Sequence, residues 1–157
     1  MKYSDSFWEW KPLISFGIFR FGSHLRNYKR LRLVYLKKES TIYCPEETTY
    51  DADGYDELSS YTLTLPNHWK SLRIYINARN RIDSVMSKKL FMFRGKNFIG
   101  LRAEQICDFL GKMYDSHDDI GVEGESWFSY TFDDLGLFLW EEDGIITSIT
   151  TSLAYED

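Results

Sequence analysis

Residues 129–149 read "SYTFDDLGLFLWEEDGIITSI", and residues 60–85 read "SYTLTLPNHWKSLRIYINARNRIDSV". Each opens on Ser-Tyr-Thr followed by an apolar residue, at Leu63 and at Phe132, and each continues as a strand, a polar turn and a second strand. With one residue added at the first turn, Leu72 aligns with Leu137, Ile74 with Leu139, Tyr75 with Trp140, Ile82 with Ile146, Ser84 with Ser148 and Val85 with Ile149. Period-two alternation rich in β-branched and aromatic residues predicts strands. Asp143-Gly144 is a hairpin turn signal between the last two.

Working outward, each copy is preceded by a glycine that ends a short strand, Gly22 and Gly100. A helical segment and a polar loop follow each glycine. Ser23 is the expected cap of a short helix with Leu25 and Tyr28 on one face, after which "LRLVYL" reads as a strand. In the second unit Leu101, Ala103, Ile106, Phe109, Leu110 and Met113 recur at helical spacing, with Glu104 early and Lys112 late, as the helix dipole favours. The distance from glycine to SYT is 38 residues in the first unit and 29 in the second, and the difference falls in the loop. The chain therefore reads as one α+β domain over residues 1–157, antiparallel sheet with one or two short helices. Its expected repeat units, each a helix plus a meander, are residues 12–90 and 91–157.

Aromatic residues make up 17% and hydrophobic residues 43% of the 157, enough to build a packed core and to disfavour disorder. No apolar run approaches the roughly 20 residues of a membrane span. The first residues, "MKYSDSFWEWKPLISF", lack an uninterrupted apolar segment and a small-residue cleavage site, so a cytoplasmic protein is expected. Cys44 and Cys107 form no CxxC pair, and neither a zinc site nor a disulfide framework is signalled. Charge divides the chain sharply. Residues 1–96 hold 17 Lys and Arg against 10 Asp and Glu, whereas residues 97–157 hold 2 against 14. The halves thus carry +7 and −12 within a net charge of −5, an asymmetry that speaks of partners and fields rather than of fold.

His24, His68 and His117 lie in dissimilar polar segments outside any nucleophile or metal signature, and read as surface histidines. Cys107 sits on the apolar face of the predicted helix and reads as core. "DADGYDE", residues 51–57, lacks the ligand spacing of a calcium loop and reads as a turn. No phosphate-binding glycine motif is present, and no cofactor or metal is expected.

Two charged stretches remain. Arg20, Arg26, Lys29, Arg30, Arg32, Lys37 and Lys38 are interleaved with Phe21, Tyr28 and Tyr35, which suits phosphate contact and base stacking. A solvated basic face is the preferred reading, because the whole protein is acidic. The second stretch is the acidic one. Asp115, Asp118, Asp119, Glu123 and Glu125 fall in one predicted loop, Asp133 and Asp134 follow the SYTF strand, and Glu141, Glu142 and Asp143 form a hairpin tip. Trp127 and Trp140 sit among them. Charge steers encounter and aromatic side chains anchor, so the set suits a basic protein partner, although a merely solubilising face accounts for the acids equally. A third reading makes paired carboxylates the acid and base of a small hydrolase. It is the least favoured, because acids at turns and tips are expected to be solvated.

The arrangement "IGLRAEQICDFLGK…WFSYTF…GLFLWEEDGIITSI", with Gly100, Ile106, Leu110-Gly111 and residues 137–149, resembles the helix-plus-sheet repeat of β-lactamase-inhibitor-like proteins. The first unit keeps Gly22 but lacks the Leu-Gly. In size, acidity and style the chain is similar to bacterial immunity proteins of contact-dependent and other polymorphic toxin systems. That resemblance implies a non-enzymatic protein that neutralises a cognate toxin, such as a basic nuclease, by covering its active site with an anionic surface. The alternative is a nucleic-acid-binding module using the basic stretch.

Overall fold

The alternating stretches pair, in this computed structural model, into a predominantly β structure, broadly α+β, with antiparallel sheets and short helices. Residues 5–36, 61–68, 70–121 and 123–154 are described. Cys44, Lys37, Lys38 and the run 51–57 lie outside them.

Strands β1 (Trp10–Lys11), β2 (Ser15–Phe16) and β3 (Phe19–Arg20) form a small sheet. The expected single strand ending at Gly22 is thus a tight hairpin. A 3-10 helix, Leu25–Leu31, leads to β4 (Val34–Leu36). Strands β5 (Tyr61–Thr64), β6 (Leu72–Ile76) and β7 (Ile82–Ser87) complete the first meander. The short pair β8 (Met92–Phe93) and β9 (Lys96–Asn97) precedes helix α1 (Ala103–Leu110). Strands β10 (Ser116–Asp119), β11 (Trp127–Phe132), β12 (Leu137–Glu142) and β13 (Ile145–Ser152) close the chain. The main sheet has eight strands in the order β10-β11-β12-β13-β7-β6-β5-β4, so the last strands of the two meanders meet at its centre.

The register there is symmetric. Met86 faces Thr150, with Ser87 on Ile149 to one side and Val85 on Thr151 to the other. Outward from this pair, Leu72 lies on Ser87 and Leu137 on Thr151, Ile74 on Val85 and Leu139 on Ile149. The ladder slips after Tyr75 and after Trp140, where Ile76 lies on Ile82 and Glu141 on Ile146. The six residue pairs aligned from the sequence fall at corresponding ladder positions. Backbone bonds outside the sheet also correspond. Gly22 N–H donates to Ile82 O (2.8 Å) and Ile82 N–H to Ser23 O (2.9 Å), while Gly100 N–H donates to Ile146 O (2.8 Å) and Ile146 N–H to Leu101 O (2.8 Å). Both glycines need positive φ, +84° and +95°, which other residues adopt at a cost.

The SYT tetrapeptides themselves are not equivalent. Leu63 lies on Ile74 and Tyr130 on Leu139, so Thr62 corresponds to Ser129 and the copies are displaced by two residues. A two-residue slip keeps every side chain on its face, so alternation alone cannot detect it.

One face of the sheet is the core. Leu72, Ile74, Val85, Leu137, Leu139, Ile149 and Phe132 are buried there, in one cluster with Ala103, Ile106 and Cys107 of α1. Helix α1 starts where the Arg102 N–H donates to Gln105 Oε1 (2.9 Å) and ends at Gly111. Met113 (63% exposed) is not core, as helical spacing had suggested, because the helix stops before it, and Phe109 (39%) lies at the core's edge, its ring 5.8 Å from that of Phe98. The helix of the first unit is a 3-10 helix capped by His24, not Ser23. Its Nδ1 accepts from Arg26 N–H (3.0 Å), while the Ser23 hydroxyl donates to Arg20 O (2.6 Å). At the amino-terminal side an aromatic cluster joins the small sheet to β8 and β9. Trp10 lies 5.4 Å from Phe91 and 5.0 Å from Phe93 between ring centroids, and Phe16 stacks on Phe91 at 5.1 Å.

Candidate partner-binding surface

The second face of the main sheet is only partly covered: Phe138, Trp140 and Trp127 are half exposed there, whereas Ser129 and Met86 are buried. Strand β12 alternates strictly, with Leu137, Leu139 and Glu141 buried and Phe138, Trp140 and Glu142 half exposed. On the next strand Trp127, Ser129 and Thr131 share that outer face, because Ser129 pairs with Trp140 and Thr131 with Phe138. Trp127 and Trp140 are diagonal neighbours with ring centroids 6.2 Å apart. Asp118 lies on Ser129, in the same row as Trp140, and Glu142 lies directly opposite Trp127. The tryptophan pair is thus bordered by carboxylates on the face that α1 does not cover.

Asp118 and Asp119 were expected in a loop, yet they belong to β10, the outer strand of the sheet. Ser-His-Asp-Asp contains no strong β-former, and pairing with β11 alone makes it a strand. All four of its residues are exposed. Charges on an edge deter pairing with another chain, which is a structural reason for acids at these positions.

Six acids gather at one end of the sheet. The Asp143 N–H donates to Ser126 O (2.8 Å), which ties the β12–β13 turn to the end of the β10–β11 loop. That contact brings Glu142 and Asp143 to the side of the sheet that carries exposed Glu123 and Glu125, with Asp118 and Asp119 at the near end of β10. Glu142 is oriented by the Thr147 hydroxyl, which donates to its Oε2 (2.6 Å) from the residue that the ladder leaves unpaired.

Three sequence-selected acids do not join this group. Asp133 and Asp134 lie beyond the far end of β11, about 13 Å along the strand from the Asp118 row and about 20 Å from the Glu142 row. There the Asp133 N–H donates to Asp115 Oδ2 (2.6 Å), and the Asp134 carboxylate pairs with Lys112, which holds its pKa below the usual carboxylate range. Glu141 is 7% exposed, which corrects the expectation of a solvated hairpin tip. Its Oε1 accepts from the Tyr130 hydroxyl (3.2 Å), and Tyr130 is pushed up to about 12, first by burial and then by the neighbouring carboxylate. At the corresponding positions in the first meander stand Leu63 and Ile76, an apolar pair. The alternation Leu137, Leu139, Glu141 carried the signal that Glu141 points inward.

The histidines differ in setting. His117 is exposed on β10, stacked on Tyr130 (6.1 Å) beside Tyr114 (5.3 Å). His68 is half buried against Trp8 (5.5 Å), and burial lowers its pKa, with Lys89 adding to the shift. Cys107 is buried in the core, and desolvation raises its pKa. Among the described residues no group of three or more His, Cys, Asp or Glu is placed to hold a metal ion, and no helix is long and apolar enough to cross a membrane. Compared with known proteins, the chain matches no family model, no curated protein and no solved structure.

Proposed function

We propose that the chain is an inhibitor of a basic protein, in the manner of a cytoplasmic bacterial immunity protein, and that it covers its partner's anion-binding active site. The observation that carries the reading is the Trp127–Trp140 pair on the outer sheet face, bordered by Asp118, Glu142 and Asp143. Large rings anchor a protein interface, and a ring of like charge steers an oppositely charged partner toward it. The binding set is Trp127, Trp140, Asp118, Asp119, Glu123, Glu125, Glu142 and Asp143. Asp133, Asp134 and Glu141 fall outside it.

We also read the two meanders as copies of one unit joined through β7 and β13. The symmetric register about Met86 and Thr150 and the matching glycine bonds support this. In this reading one copy kept an apolar outer strand, Val34–Leu36, and the other became acidic at Ser116–Asp119.

The test begins with co-purification from the native cell. One basic protein is expected to be retained by the wild-type chain, and its activity to fall when the chain is added. Retention of no basic protein defeats the proposal. So does equal retention by the combined Asp118→Lys, Asp119→Lys, Glu142→Lys and Asp143→Lys variant.

A further inference from the structure

The two helical segments seat differently. Helix α1 buries Ala103, Ile106 and Cys107 against the sheet, whereas the 3-10 helix Leu25–Leu31 buries no residue and is kinked at Tyr28 (φ −117°, ψ 21°). Beneath this looser helix is a cavity of about 400 Å³, the size of a small-molecule site. Leu25, Leu33 and buried Leu63 give it an apolar floor, and Arg26, Lys29 and Arg32 stand at its rim. Among the described residues no acidic side chain lines it. The three cations are exposed and make no ion pair among the described residues.

We propose that this cavity binds a phosphate monoester carried on an apolar body. The phosphate engages Arg26 and Arg32, whose guanidinium forks match its oxygens, and Lys29 adds a point charge. The body displaces water from the leucine floor. A nucleotide and a single-chain lipid phosphate share this chemistry. The site is separate from the acidic surface, because β5, which carries Leu63, and β10 lie six strands apart in the sheet order.

Calorimetric titration of the full chain with AMP, with dodecyl phosphate below its micelle concentration and with inorganic phosphate tests the proposal. One of the two monoesters is expected to bind saturably, about tenfold or more tighter than inorganic phosphate. The winner identifies the source as nucleotide or lipid. Arg26→Gln and Arg32→Gln, both at exposed positions, are each expected to weaken it about ten- to a hundredfold. Lys96→Gln, outside the cavity, is expected to leave it unchanged. The proposal is overturned if neither monoester saturates, if inorganic phosphate binds as tightly, or if both arginine variants bind like wild type.

Discussion

Replacing Tyr130 by Phe removes one oxygen and isolates a carboxylate. The Tyr130 hydroxyl is the only hydrogen-bond partner of the Glu141 side chain among the described residues, and Glu141 is 7% exposed. A buried charged group deprived of its hydrogen bond costs about 1.5–3 kcal/mol. For a chain of 157 residues that corresponds to a fall in Tm of roughly 3–12 °C. Changing Glu141 to Ile as well removes the stranded charge and installs the residue found at the corresponding position, Ile76. Replacing a buried polar pair by apolar groups of similar volume is close to neutral or stabilising. The Tyr130→Phe/Glu141→Ile double variant is therefore expected within about 1 kcal/mol of wild type, and the coupling energy of the cycle at about 1–2 kcal/mol. Urea unfolding followed by tryptophan fluorescence measures all four corners. A Tyr130→Phe cost below about 0.5 kcal/mol, or a double variant as destabilised as the sum of the singles, refutes the reasoning.

Three further outcomes follow from local geometry. Thr151 is fully buried and its hydroxyl has no hydrogen-bond partner among the described residues, so Thr151→Val is expected to stabilise by about 1 kcal/mol, read as a raised urea midpoint; a lowered midpoint contradicts this. Gly136 has φ +59° and a Cβ there would sit 2.3 Å from Ser152 O, so Gly136→Ala is expected to cost at least about 2 kcal/mol, and a cost under 1 kcal/mol counts against the described turn. The Tyr130 pKa is raised, so the folded state holds its proton longer than the unfolded state; stability should fall as pH rises from 10 toward about 12, and Tyr130→Phe should flatten that fall in alkaline unfolding curves.

Local pattern and long-range pairing determined different parts of this molecule. The β12–β13 hairpin was legible because LFLWEE alternates and Asp143-Gly144 turns. Strand β10 was not, because Ser-His-Asp-Asp has no strand propensity of its own and owes its state to β11. Helix α1 was legible up to Leu110, but the periodicity continued to Met113, past the stop at Gly111. Trp8 and Trp10, both in the core, gave no signal through composition or period; Trp10 packs on the sequence-distant Phe91, and Trp8 on nearby Phe16 and distant His68. The candidate surface was legible as a list of acids and tryptophans. Its shape was not, since only the sheet register separates Asp118 and Glu142, beside the tryptophans, from Glu141 behind them and Asp133 at the far end.

The central claim is that the outer sheet face around Trp127 and Trp140 binds a basic protein. The most direct measurement is the affinity of the co-purified partner for the wild-type chain, for Trp127→Ala/Trp140→Ala and for Arg26→Gln on the opposite side of the sheet order. Two tryptophan anchors are each worth about 2 kcal/mol or more, so the double variant is expected to lose roughly a thousandfold while Arg26→Gln binds as wild type. A tryptophan variant that folds normally and binds within threefold of wild type, about 0.6 kcal/mol, would contradict the account.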